Sequence, residues 1–274
     1  LAGVPERPLI GTIIKPSVGL SAEATGALVT DLCAGGIDFI KDDELQADGP
    51  SCPFEDRVKS TMRAVNAAAD KTGKKAMVAF NLTGETDEMR RRHDLVRDCG
   101  GTCVMVNLTG VGMSGMIDIG RHTELPIHAH RAGWGALTRD PLLGWSYPAW
   151  SKLWRLAGAD HMHVNGFDNK FTESNESVAA SVASLKDPLF GNSPMCAVPV
   201  FSSGQTVRQA AATLNAAGSP DVLVTAGGGI IAHPDGVTEG VKAMRQAYDA
   251  AMQGVDVDVY AKEYHELTAA LAAF

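Results

Sequence analysis

The stretch Gly36-Ile37-Asp38-Phe39-Ile40-Lys41-Asp42-Asp43-Glu44 decides how the rest of the chain is read. Its first half is a short apolar run behind a glycine, which reads as a buried strand. Its second half is a dense charged cluster where that strand stops. Alternate side chains of a strand share a face, so Lys41 and Asp43 point to one side and Glu44 sits at the turn. Taken alone, the charged run reads as a solvated segment. Set directly against a buried strand, it reads as a strand end that opens on a site.

The same grammar, an apolar run that stops in polar or Gly-rich residues, recurs along the chain. The strand candidates are Leu9–Ile14, Asp38–Ile40, Ala76–Asn81, Cys103–Asn107, Pro126–His130, His161–Val164, Ala197–Phe201 and Asp221–Thr225. Helical patterns separate them. Ser21 supplies an N-cap with Glu23 in the first turn. Further helices are expected at about Phe54–Thr72, Thr86–Cys99, Ala149–Leu156, Ser174–Leu185, Val207–Ala217 and Gly236–Met252. The Gly-rich interval Gly110–Ile119 is the least regular, and a terminal helix is expected at Tyr260–Ala273. Eight strand–helix units predict an α/β fold, a (β/α)8 TIM barrel with a C-terminal helical extension. An open doubly wound sheet is the alternative, but it does not need eight regular units.

Composition agrees. The 274 residues are 45% hydrophobic and 20% charged, with net charge -8. That is enough apolar residue for one barrel of roughly 250 residues. The negative field repels phosphate polymers, which excludes a general nucleic-acid or anionic-membrane binder. A local phosphate site remains possible, since a few backbone N–H groups and cations can build one. The five cysteines are odd in number and lack paired zinc spacing, so they are expected as reduced thiols in a cytoplasmic protein. No apolar stretch is long enough to span a membrane, and no signal peptide is visible.

In a barrel, chemistry gathers at the C-terminal ends of the strands. Carboxylate oxygens at the density of Asp43 and Glu44 suit a hard dication such as Mg2+. Lys41 is out of place among them unless its charge is removed. A neutral lysine amine can add CO2, and the resulting carbamate is an anionic oxygen ligand. His128/His130 and His161/His163 each share a face. They read either as imidazoles that fill the barrel or as zinc ligands, and the neighbouring carboxylates favour a harder metal. Arg131 suits a phosphate or carboxylate. Gly227-Gly228-Gly229, with Ser202-Ser203-Gly204, lets backbone N–H groups approach an anion. The loop Val164–Lys170 reads either as a closing lid or as an ordinary connection.

These residues, in this order, resemble the C-terminal barrel of the RuBisCO large-subunit superfamily over nearly the whole chain. The carriers are Gly11-Thr12-Ile13-Ile14-Lys15-Pro16, the Gly36–Glu44 stretch, His128-Ala129-His130-Arg131-Ala132, Ala159-Asp160-His161-Met162-His163, Pro199-Val200-Phe201-Ser202, and Gly227-Gly228-Gly229 with His233-Pro234. The resemblance implies that Lys41 is carbamylated by CO2 and binds Mg2+ with Asp43 and Glu44. It implies that Lys15 moves protons and that His130 lies near the sugar. Arg131, His163 and Ser202 are implied to bind one phosphate end or the sugar hydroxyls, and Gly227 and Gly228 the other phosphate. Lys170 is implied to meet the reacting carboxyl group. It further implies that residues 1–274 are one domain of a longer chain, which starts here at Leu1 without a Met. A preceding α+β domain would complete the partner's active site in a homodimer.

The departures shift the expected chemistry. RuBisCO has a second lysine where this chain has Ser17, and a further histidine where it has Trp134. Its lid is Val- and Gly-rich, unlike Asn165–Phe171 here. The chain therefore looks like a RuBisCO-like protein, with Mg2+-dependent enolisation, isomerisation or decarboxylation of a phosphorylated keto-sugar or keto-sugar acid. The alternatives are true ribulose-bisphosphate carboxylase and a non-catalytic sugar-phosphate binder. A zinc hydrolase fits less well, because Lys41 precedes both His-x-His pairs.

Overall fold

A computed structural model describes residue 4 and residues 6–140, 142–171 and 173–274. Its eight strands are β1 (Leu9–Ile13), β2 (Phe39–Lys41), β3 (Met77–Asn81), β4 (Cys103–Asn107), β5 (Ile127–His130), β6 (His161–Asn165), β7 (Val198–Phe201) and β8 (Leu223–Thr225). They pair in parallel in chain order, and β1 pairs with β8, so the sheet closes. The barrel expected from the sequence is the one observed. An open sheet is excluded by the β1–β8 pairing, which matches Leu9 to Leu223 and Gly11 to Thr225.

The first helices follow the sequence closely. Helix α1 (Ala22–Ala34) starts at Ser21, whose side chain accepts from the Ala24 N–H. Helix α2 (Phe54–Thr72) stops at Gly73, which takes a left-handed φ of 72° that other residues adopt at a cost. Then come α3 (Thr86–Asp98) and α4 (Leu108–His122). The interval that was hard to read is α4, and it breaks at Gly112, φ 66° and ψ 176°. Helices α5 (Tyr147–Leu156) and α6 (Asn175–Lys186) stand as expected.

Two later helices differ from expectation. The pattern at Val207–Ala217 is a 3-10 turn, Val207–Gln209, followed by α7 (Ala210–Ala217). After β8 come a one-turn helix, α8 (Gly228–Ile231), and α9 (Val237–Met252). The expected terminal helix Tyr260–Ala273 is instead three pieces: α10 (Val257–Tyr260), a 3-10 turn over Ala261–Glu263, and α11 (His265–Ala273). Asp256 caps α10 through its side chain. No helix among the described residues is long and apolar enough to cross a membrane.

The core has two layers. Outside the strands, a continuous apolar shell packs them against the helices. Inside the barrel, Phe39, Met77, Ala79, Cys103, Met105, Val200 and Leu223 form a second cluster. Strand parity follows from this inner set. Phe39 faces inward, so Lys41, two residues on, also faces inward. Strands β5 and β6 contribute imidazoles in place of aliphatic side chains: Phe39 lies 5.1 Å from the His128 ring and 5.9 Å from the His161 ring. Gly11 permits the closure, because a Cβ there would come within 2.9 Å of the Phe39 carbonyl oxygen.

At the opposite end of the barrel, Asp38 ties three segments together. Its carboxylate accepts from Arg7 Nη1 at 2.7 Å, Arg245 Nη2 at 2.7 Å and the Ile10 N–H at 2.9 Å, and it pairs with Lys74. The Asp38 side chain is fully buried, whereas its cationic partners are partly solvated. Asp38→Asn is expected to cost about 3 kcal/mol, because three cations lose one shared anion. Chemical denaturation measures it. A loss below about 0.5 kcal/mol would mean the cluster is only surface pairing.

Candidate active site

The charged run after β2 forms the floor of the site. Lys41 is 1% exposed. Its Nζ donates to Glu44 Oε2 at 2.8 Å and to the Asp42 carbonyl at 2.7 Å. Burial holds the Lys41 ammonium below the ordinary lysine range, against the pull of Glu44, Asp43 and Asp42. Burial pushes the Glu44 carboxyl upward, but the charge and hydrogen bond of Lys41 outweigh it, so the net direction is down. Lys15 approaches from the end of β1. Its Nζ donates to Asp43 Oδ2 at 2.6 Å, and the Ser17 hydroxyl donates to the same oxygen at 2.9 Å. Each ligand-type carboxylate therefore holds one lysine.

Asp42 faces away from the lysines and holds the loop. Its Oδ2 accepts from Arg57 Nε at 3.2 Å and from the Asn81 N–H at 3.0 Å. Arg57 is fully buried and also donates to the carbonyls of Cys52 at 3.0 Å and Ala47 at 2.8 Å. Asn81 Nδ2 reaches the carbonyls of Glu44 and Gln46, each at 3.3 Å. These three residues were not singled out by the sequence. Asp42 looks like its neighbours in the run, and Arg57 shows only as a charge in an amphipathic helix.

A second group lines β5 to β7. His130 Nε2 lies 3.5 Å from Glu44 Oε2, and its ring centroid is 4.5 Å from that of His163. The two groups are thus continuous. His163 has both nitrogens engaged: Nε2 lies 2.8 Å from His128 Nε2, and Nδ1 lies 3.0 Å from Ser202 Oγ. A ligand can reach the His163 ring nitrogens only by displacing one of these partners. Burial, then neighbouring charge, holds His128, His130 and His163 well below the ordinary histidine value, so all are neutral near pH 7. Burial alone pushes His161 down to about 4.

Arg131 is buried, with its guanidinium carbon 5.2 Å from the centre of the Tyr147 ring. Its Nη2 donates to Glu173 Oε2 at 2.8 Å, a partner 42 residues away that no local pattern reveals. Trp134 is a buried core residue, its ring tilted by 45° against Trp150 with centroids 4.6 Å apart.

The Gly triplet divides by role. A Cβ at Gly229 would come within 2.6 Å of the Gln205 carbonyl oxygen, so this glycine serves packing. A Cβ at Gly228 would meet nothing within 4 Å, and one at Gly227 only Ile13 Cδ1 at 3.6 Å. These two therefore front open space at the start of α8. Lys170 stands apart from both groups. It is exposed, with Nζ 5.5 Å from the Phe171 ring centre, and its N–H donates to the Ser203 carbonyl at 3.2 Å. The preceding loop is anchored: Phe167 stacks on Phe201 at 6.2 Å, and Gln205 Nε2 donates to the Phe167 carbonyl at 3.2 Å.

The donor set at Lys41, Asp43 and Glu44 fits Mg2+. Asp43 and Glu44 offer oxygen ligands, and the buried Lys41 amine is shifted toward the neutral form, which could add CO2 and so become a third oxygen ligand. A second possible metal cluster, His93–Asp94–His122, lies between α3 and α4. There Asp94 Oδ1 already meets both imidazoles, at 3.1 and 3.0 Å, and Arg97 Nη1 at 3.2 Å.

The ribulose bisphosphate carboxylase large-chain catalytic-domain model matches residues 3–274. A 3-oxo-isoapionate-4-phosphate transcarboxylase/hydrolase from Xanthobacter autotrophicus is 60% identical over 271 residues, 99% of this chain and 66% of that protein. A 3-oxo-isoapionate-4-phosphate decarboxylase from Rhizobium etli is 42% identical over 276 residues, 100% of this chain and 66% of that protein. The chain thus spans just under two thirds of these relatives. The crystal structure of a rubisco-like protein from Burkholderia fungorum superposes with a TM-score of 0.97 at 46% identity, covering 100% of this chain and 68% of that one.

The buried imidazoles give a pH signature. His161 titrates near its ordinary value when unfolded and at about 4 when folded. Between these values the unfolded chain binds the extra proton, so stability is complete above the unfolded value and is lost as pH falls. From about pH 7 to about pH 5, His161 alone is expected to remove about 2 kcal/mol. Denaturant midpoints at the two pH values, compared with those of His161→Phe, measure this. An equal loss in both proteins would contradict it.

Proposed function

Because the chain belongs to the ribulose bisphosphate carboxylase large-chain family, we propose that it is the barrel of a Mg2+-dependent enzyme acting on a phosphorylated 3-keto sugar acid. The class of reaction is loss of a carboxyl group, or enolisation, next to the ketone. The carrying observation is Lys41, buried and shifted toward its neutral form between Asp43 and Glu44, with Lys15 on the far side of Asp43. The names of the two relatives, each a 3-oxo-isoapionate-4-phosphate enzyme, support this substrate class.

Lys41 as a carbamate, Asp43 and Glu44 would hold Mg2+. When bound, the ion supplies Lewis-acid polarisation of the substrate's ketone oxygen. The chain's own residues do the rest. Departure of CO2, or of a proton, leaves an electron pair on the carbon beside the ketone, and negative charge spreads to the ketone oxygen. Lys15 is 42% exposed at the mouth and brings an ammonium to that charge. The same ammonium delivers the proton that quenches the carbanion; where a proton leaves instead, the base is the Lys15 side chain in its neutral amine form, which becomes the ammonium. Neutral His130 and the Ser202 hydroxyl orient the sugar hydroxyls. Gly227 and Gly228 offer backbone N–H groups to the phosphate. Lys170 meets the carboxyl group if its loop turns its side chain inward. In the homodimer of this reading, the partner's α+β domain completes each mouth.

Ser17 bears against ribulose-bisphosphate carboxylation, because a hydroxyl bonded to Asp43 replaces a second cation at the mouth. A carboxylation assay is expected to give no product.

The test uses the whole protein and a phosphorylated 3-keto sugar acid. Turnover is expected to require Mg2+ and to rise after preincubation with CO2. Lys41→Ala should abolish both the turnover and the metal dependence. Lys15→Ala should lower kcat by about 10²- to 10⁴-fold, the usual worth of a positioned proton donor. Unchanged turnover in Lys41→Ala would overturn the reading.

A further inference from the structure

The mouth of the barrel contains a carboxylate to which the reading above gives no task. Glu173 lies between β6 and α6, with its side chain 16% exposed. Its Oε2 meets Arg131 Nη2 at 2.8 Å and accepts from Asn165 Nδ2. Its Oε1 accepts from the Ser177 hydroxyl at 2.9 Å. Its carbonyl accepts from Asn169 Nδ2 at 3.0 Å, which fixes the backbone. A buried guanidinium, an amide and a hydroxyl converge here, and all three are donors. That is an anion socket, and its occupant is a carboxylate of the chain itself.

The socket belongs to the substrate mouth. Beneath it, the Tyr147 hydroxyl donates to the His163 carbonyl at 2.7 Å, and the Arg131 guanidinium lies over the Tyr147 ring. His163 leads directly to Ser202. The other place where the backbone can meet an anion, Gly227 and Gly228, follows β8, three strands further round the ring.

We propose that Glu173 is a specificity-determining residue: it fills the Arg131 socket with an internal carboxylate, so the site takes a substrate with one phosphate and rejects bisphosphates. A second phosphate would have to displace a tethered anion that needs no association entropy to bind. Once displaced, the carboxylate would still lie beside the phosphate, and one guanidinium cannot balance both charges. The far end of the accepted substrate therefore carries no second phosphate and meets neutral groups such as Ser202. This deepens the function proposed above and rests on it only in taking the barrel mouth as the substrate site.

The test measures binding without turnover. The probes are a five-carbon alditol monophosphate and the matching alditol bisphosphate, neither of which has a ketone to enolise. They are titrated calorimetrically into the whole protein with Mg2+. The wild type is expected to bind the monophosphate at least about ten-fold more tightly than the bisphosphate. Glu173→Gln keeps the size of the side chain and removes its charge. It should tighten the bisphosphate about ten-fold or more and change the monophosphate less than about three-fold, a difference on the scale of one charge-assisted hydrogen bond. Glu173→Ala should act in the same direction, and retained monophosphate binding reports that each variant is folded. Equal or tighter bisphosphate binding by the wild type would overturn the proposal. So would an unchanged ratio in both variants, or failure of every protein to bind either probe. If the catalytic reading alone is wrong, turnover of the keto sugar acid is absent while the discrimination persists.

Discussion

The charged floor at the mouth of this barrel depends on the pairing of Asp42 with Arg57. Both side chains are essentially removed from water, and a buried charge is costly unless it is paired and its remaining hydrogen bonds are made. Here they are made. Asp42 takes the Asn81 N–H, and Arg57 takes backbone carbonyls of the segment between β2 and α2. The pair therefore fixes the loop at both ends, from β2 to the first turns of α2. Asp43 and Glu44 project from that loop, so their positions are set by a neighbour that takes no part in the chemistry.

The second consequence is electrostatic. Lys15 and Lys41 answer Asp43 and Glu44 one to one, so the floor of the site is close to neutral although the chain is acidic. The imidazoles beside it add no charge, because burial holds them unprotonated. A buried site of this kind can exchange one cation for another at little cost. A lysine that gives up its proton to become a carbamate leaves anionic oxygen behind, and a dication restores the balance. The same economy holds at Arg131, whose charge is met by Glu173 within the chain.

The architecture was legible because a strand's two-residue period and the charged strand ends point the same way. Lys41 faces inward because Phe39 does, and that parity could be read from the sequence. Lys15, Asp43, Glu44 and His130 followed, since each lies at a strand end or just past one. The inward histidines His128 and His161 could be read either as filling or as ligands, and they fill the barrel beside Phe39. Contacts between distant segments were not legible. Nothing near Glu173 announces Arg131, and nothing near Asp42 separates its structural role from that of Asp43. Helix ends were also hidden where glycine or a side-chain cap breaks the pattern, as at Gly112 in α4 and Asp256 before α10.

The central claim is that Lys41 is the residue that takes up CO2 to complete a metal site. The direct measurement is carbon NMR of the whole protein equilibrated with isotopically labelled CO2 and Mg2+. The account predicts one carbamate resonance that needs the metal to persist and is missing from Lys41→Ala. A wild type without that resonance, or a variant that keeps it, would contradict the account.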